Sequence, residues 1–160
     1  MSVDRSFVTR SKEENWMPVL ELAVEEVFEI MVGCRVKPVA QTEHPPNEEY
    51  TAMIGLAGAL CGILTLSCNA QTARQIARSM LGGTDNADTE VADALGELCN
   101  MIAGNFKNKL AGTDERCMLS VPTVISGGEY SFHSLADGCS VATVLLFEDA
   151  PVAVRLQLQS

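Results

Sequence analysis

The chain has 160 residues, 47% of them hydrophobic and 20% charged, with a net charge of −10. That length suits one domain with its own core, and the composition excludes a disordered chain. The excess of acidic residues disfavours nucleic acid and anionic membrane surfaces as partners.

Residues 1–14 are polar and of mixed charge and read as a loose arm, which leaves a single domain over 15–160. Asn15 is the predicted N-cap of a first helix, with Pro18 in its first turn. Leu20, Val24, Val27, Phe28 and Met31 recur at helical spacing, Glu21, Glu25, Glu26 and Glu29 hold the other side, and Gly33 closes the element. A short strand follows over 34–40, where Pro38 suggests an edge, and then a turn-rich loop over 41–49 containing Pro45-Pro46.

Residues 50–73 carry no charge and are numerous enough to cross a bilayer. Gly55, Gly58 and Gly62 interrupt the run and threonines punctuate it, so two strands over 50–57 and 60–68 joined by a tight turn explain it better. Asn69 is the predicted cap of a second helix, bearing Ala73, Ile76, Ala77, Met80 and Leu81 on one side and stopped by Gly82-Gly83. A third helix is predicted over 89–110, then strands near 117–125, 139–148 and 151–159. The last alternates Val152, Val154, Leu156 and Leu158 with Ala153, Arg155, Gln157 and Gln159, which predicts one wet face. The order is helix, three strands, two helices, three strands. It implies an α+β two-layer sandwich, with long helices on a mostly antiparallel sheet and an internal duplication of a helix–three-strand unit.

The six cysteines, at 34, 61, 68, 99, 117 and 139, include no C-x-x-C pair, so neither a zinc ribbon nor a thioredoxin-type dithiol is signalled. No signal peptide is legible at the N-terminus, and a cytoplasmic protein whose reduced thiols mostly fill the core is therefore expected. His44 and His133 have no catalytic partner in a recognisable motif, and His133 with Asp137 is too little for a metal site. The acidic stretch at 85–88 lacks the ligand alternation and glycine of a calcium loop. The glycines at 55, 58 and 62 do not form a phosphate-cradling loop. No metal or cofactor is therefore assigned to this chain.

The third helix is the informative element. Val91, Leu95, Leu98, Cys99, Ile102 and Phe106 form its apolar stripe, while Asp93, Glu97, Asn100 and Gly104 fall within about 60° of one another on the opposite side. Such acids and amides are ordinarily just solvated. Gly104 is less ordinary, because a glycine inside an exposed helix costs about 1 kcal/mol relative to alanine, unless another backbone must come close there.

The spacing Asp93, three residues, Glu97, two residues, Asn100 resembles the signature helix of the CheC/CheX chemotaxis phosphatases, with Pro122 following slightly nearer than in that family's pattern. The element order resembles the family over about residues 15–159. At the equivalent spacing the first helix offers Glu21, Glu25 and then Phe28 in place of the amide, which makes a single-site, CheX-like member the closer resemblance.

The resemblance implies hydrolysis of the aspartyl phosphate of a CheY-type response regulator. Asn100 would orient the attacking water, Glu97 would pair with the regulator's active-site lysine, Asp93 would extend the acidic contact and Gly104 would permit close docking. The Mg²⁺ of the reaction is expected in the regulator. The resemblance also implies a homodimer through β-strand contacts, for which the apolar C-terminal strand is the candidate edge. Two alternatives stand beside this reading: a non-catalytic regulator-binding or motor-switch-like module, and a small-ligand or metal sensor using the cysteines.

Overall fold

The computed structural model describes residues 5–39, 48–58, 60–83, 85–110, 117–128, 130, 138 and 140–159. His44, His133, Asp137, Cys139 and the Pro45-Pro46 turn lie outside them. In chain order the elements are α1 (Arg5–Val27) running into a π-helical turn (Phe28–Val32), β1 (Lys37–Val39), β2 (Tyr50–Gly58), β3 (Gly62–Cys68), α2 (Ala70–Leu81), α3 (Asp88–Lys109), β4 (Cys117–Leu119), β5 (Thr123–Ser126), β6 (Ser140–Phe147) and β7 (Ala150–Leu158).

All the strands join one antiparallel sheet in the order β1-β6-β7-β3-β2-β4, with β5 also paired to β2. This order is symmetric. The third strands of the two halves, β3 and β7, meet at the centre. The second strand of each half, β2 or β6, pairs with its own third strand on one side and with the first strand of the other half on its outer side. The helices repeat the pattern, since α1 packs on β6 and α3 on β2. The duplication expected from element order is therefore present in the pairing, although the halves share little sequence.

One core lies between this sheet and the helices. The even-numbered residues Ala52, Ile54, Leu56, Leu64, Leu66, Val152, Val154, Leu156 and Leu158 supply the sheet side, and Leu20, Val24, Val27, Phe28, Leu95, Leu98, Ile102 and Phe106 supply the helix side, all of them buried. Cys68, Cys99 and Cys117 are buried there. Burial pushes the Cys68 and Cys99 thiols up to about 12, which makes them packing groups rather than nucleophiles. No helix of the described residues is long and apolar enough to cross a membrane, and the uncharged run over 50–73 is largely the β2–β3 hairpin.

Several boundaries differ from the sequence reading. Helix α1 begins at Arg5, so Asn15 and Pro18 lie inside it and residues 5–14 are helical. That stretch is polar and has no apolar stripe to announce a helix. At its other end Gly33 adopts φ 78°, a left-handed conformation suited to glycine, and its N–H donates to the Phe28 carbonyl at 2.9 Å. The C-terminal strand β7 is not an edge: β6 flanks it on one side and β3 on the other. Its second face is also drier than alternation suggests, with Ala153 buried and Arg155 and Gln157 half-buried. Arg155 pairs with Glu48, and Thr51 bonds Ser67 at 3.0 Å and Tyr130 at 2.6 Å, around a cavity of about 350 Å³.

The strand expected over 117–125 is two strands. Thr123 pairs with Met53 and Leu119 with Leu56, so residues 120–122 face only residues 54–55 of β2. That is one residue too many, a β-bulge. Pro122 has no N–H for the ladder, which accounts for the break. Ser120 anchors the bulge: its N–H donates to the Gly55 carbonyl at 2.9 Å, and its hydroxyl accepts from the Gly55 N–H at 2.8 Å.

Two predictions test this packing. A Cβ on Gly62 would lie 2.0 Å from the Gln157 carbonyl oxygen of β7. Gly62→Ala should therefore cost about 3 kcal/mol or prevent folding, read by urea unfolding. The second concerns Glu26 of α1, which accepts from Asn105 of α3 at 2.9 Å and pairs with Lys109 at 2.8 Å. The Asn105 amide, and then the Lys109 ammonium, hold its carboxyl below the usual 4.5. A depressed carboxyl pKa stabilises the fold above the unfolded value, and that contribution disappears as pH falls through the folded one. Asn105→Ala should accordingly flatten the fall in stability on acidification below about pH 4.5.

Candidate active site

Helix α3 starts without a side-chain cap at Ala87. Instead the Glu90 carboxylate accepts from the Ala87 N–H at 3.0 Å, and Asp88 and Glu90 place negative charge in the first turn. From there the helix is held on three sides, by α1, by α2 and by the sheet strands β2, β3, β4 and β5. Its apolar stripe is buried as expected: Val91, Leu95, Leu98, Cys99, Ile102 and Phe106 are all fully enclosed. The Cys99 thiol donates to the Leu64 carbonyl at 3.8 Å beneath the outer face.

The opposite row stands outward. Asp93 and Glu97 are exposed, while Asn100 and Gly104 are half-buried. Among the described residues no hydrogen bond or ion pair engages the side chains of Asp93, Glu97 or Asn100. The contrast with their own helix is informative. Asn105, one and a half turns beyond Asn100, donates its amide to the Ala23 carbonyl at 3.3 Å and to Glu26 at 2.9 Å. Polar groups of α3 that face the rest of the chain are engaged by it, and the row is not. An alanine-sized Cβ at Gly104 would meet nothing within 4 Å, so internal packing does not require glycine there.

The bulge after β4 comes up beside this row. Gly96, the residue before Glu97, is buried, and a Cβ on it would touch Val124 at 3.5 Å and Pro122 at 3.6 Å. Pro122 thus braces α3 next to the Glu97–Asn100 pair, a role that the strand reading of 117–125 missed. A proline inside an apparent strand was the available signal. Among its described side chains the first helix presents no second row. Phe28 is fully buried against Phe147, ring centroids 6.0 Å apart, and Glu21 accepts from buried Thr143 at 3.4 Å. The polar cavity on the far face of the sheet is separate from the α3 row. The described residues contain no cluster of three or more His, Cys, Asp or Glu arranged to hold a metal.

Comparisons with known proteins bear on the fold and the family. The family model for the chemotaxis phosphatase CheX matches residues 50–145, more than half of the chain and including the whole α3 row. The CheY-P phosphatase CheX of Thermotoga maritima is 33% identical over 100 residues, which are 61% of this chain and 64% of that protein's length. The crystal structure of CheX from Desulfovibrio desulfuricans superposes with a TM-score of 0.79 at 21% identity, covering 91% of this chain and 99% of that one. The CheX of a Borrelia burgdorferi CheX–CheY–BeF3–Mg²⁺ complex superposes at 0.70 with 22% identity, covering 91% and 98%. The α+β fold with its duplicated sheet, together with the family match, defines a protein of the CheC/CheX class. Within that class, the chain belongs to the CheX family of chemotaxis phosphatases.

Gly104 supplies a prediction. Because nothing crowds it and it sits inside a helix, Gly104→Ala should raise the stability of the isolated chain by about 1 kcal/mol. Thermal unfolding reads this directly, and a loss of stability would show that the position is constrained from within.

Proposed function

We propose that this chain removes the phosphoryl group from the aspartyl phosphate of a CheY-type response regulator, using the Asn100 amide to place the attacking water. The observation that carries the reading is the unengaged Glu97–Asn100 pair on a helix whose other sides are packed or bonded. Water's oxygen attacks phosphorus in line with the aspartyl oxygen. The bond from phosphorus to that oxygen breaks, releasing inorganic phosphate and leaving the regulator's carboxylate. The Asn100 side-chain carbonyl accepts a hydrogen bond from the water, and its NH₂ can donate to a phosphoryl oxygen. Holding water in this geometry is the kind of contribution that dominates phosphoryl transfer. Mg²⁺ belongs to the regulator, where it neutralises phosphoryl oxygens.

Glu97, one turn before Asn100, supplies a carboxylate for the regulator's active-site lysine and so sets the register of docking. Asp93, a further turn back, extends the acidic contact, and bare Gly104 leaves room for a close approach. A homodimer built through the sheet would have to use β1 or the β4–β5 side, since β7 is interior. The site is expected to work in the cytoplasm, where response regulators act.

Phosphate release from a phosphorylated CheY-type regulator tests the reading. Wild type should accelerate release above the regulator's own rate. Asn100→Ala should lower kcat about 100-fold while still binding the beryllofluoride-loaded regulator. Glu97→Lys should weaken that binding at least about tenfold through like-charge contact. Binding without acceleration by wild type would favour a non-catalytic docking module, and full activity in Asn100→Ala would remove the water-positioning role.

A further inference from the structure

We infer that the polar cavity on the sheet face away from the helices is a binding site for a small neutral molecule rich in hydroxyl groups, of the size of a single sugar ring. The cavity and the α3 row are separate, so the inference does not depend on the phosphatase reading. Three cross-strand pairs build its floor. Thr51 of β2 faces Ser67 of β3, Thr65 of β3 faces Arg155 of β7, and Ile63 faces Gln157. Glu48, just before β2, and Tyr130, beyond β5, complete the wall. A volume of about 350 Å³ is at the small end of the range of roughly 300–1,000 Å³ for small-molecule sites. That suits one ring and not a nucleotide.

The lining is more polar than packing alone requires. The second face of an antiparallel sheet is commonly left to water, yet the hydroxyl side chains Thr51, Thr65 and Ser67 are only 2%, 5% and 1% exposed. At one end of the cavity the chain satisfies its own groups, since Thr51 bonds both Ser67 and Tyr130. At the other end it does not. The Gln157 side-chain oxygen is buried without a hydrogen-bond partner among the described residues, which is unfavourable until a donor reaches it. Arg155, beside it on β7, gives one N–H to Glu48 and carries further donors.

These groups select the ligand. The Arg155 guanidinium and the Glu48 carboxylate offset each other, so a ligand with net charge would leave water for a site with no spare counter-charge. A hydroxyl both donates and accepts. Neighbouring hydroxyls of one ring can therefore accept from Arg155 and donate to the Gln157 oxygen while the Arg155–Glu48 pair stays intact. Ile63 supplies an apolar surface for the carbon skeleton.

Calorimetric titration of the full chain with glucose, galactose, mannose and myo-inositol tests the inference, with glycine and inorganic phosphate as the zwitterionic and anionic comparisons. At least one of the polyols should bind one to one with a Kd of about 1 mM or tighter. Gln157→Leu removes the unpartnered oxygen and should weaken that binding at least about tenfold. Thr65→Val removes a lining hydroxyl at nearly constant shape and should weaken it about threefold or more. Thermal unfolding accompanies both variants, and a loss of binding in either one that melts like wild type supports the site. No saturable binding of any polyol up to about 20 mM would overturn it. So would binding that both variants leave unchanged, or tighter binding of glycine or phosphate than of every polyol.

Discussion

The arrangement depends on the two-sidedness of α3. Six apolar side chains on one face, from Val91 to Phe106, are driven from water into the core, each contributing on the order of 1–3 kcal/mol. That burial fixes the helix's rotation about its axis. Because the helical period sets what lies opposite, fixing the stripe also fixes where Asp93, Glu97, Asn100 and Gly104 point. An amide that is to hold one water in line with a bond in another molecule has to be aimed this way, since small misplacements are expensive. Other interactions secure the same rotation: Asn105 and Lys109 tie the helix to Glu26 of α1, and Pro122 braces it at Gly96.

The pseudo-symmetric sheet gives α1 an equivalent position on the other half. The two helices nevertheless differ at the position that Asn100 holds in α3. Where α3 offers half-buried Asn100, α1 offers Phe28, fully buried against Phe147 at the start of a π-helical turn. The difference is therefore not only an amide replaced by a ring, because the position itself has been drawn into the core. Glu21, which would begin the equivalent row, is engaged by Thr143. One half of the duplication has become structural scaffold and the other has kept its polar row free.

Much of this was legible in the sequence because periodicity is a local property. A long helix with a clean apolar stripe identifies α3, and the polar face follows from the same spacing. Asn69 capping α2, with its side chain accepting from the Thr72 N–H at 2.7 Å, is likewise a local effect. What was not legible depends on distant partners or on the absence of a pattern. The early start of α1 at Arg5 had no apolar stripe to announce it. The interior position of β7 is decided by β3, far back in the chain, and alternation in Val152–Leu158 carries no information about neighbours. The brace on α3 requires knowing that residues 120–122 bulge opposite residues 54–55, which only the paired strand reveals. The row itself could be read from the chain alone, whereas its support could not.

The most direct test is a crystal structure of this chain bound to a beryllofluoride-activated CheY-type regulator with Mg²⁺. Helix α3 should enter the regulator's pocket, with the Asn100 amide within about 3 Å of a water in line with the beryllium–aspartate bond and Glu97 on the regulator's lysine. A complex in which Asn100 faces solvent, or in which another surface of the chain covers the pocket, would contradict it.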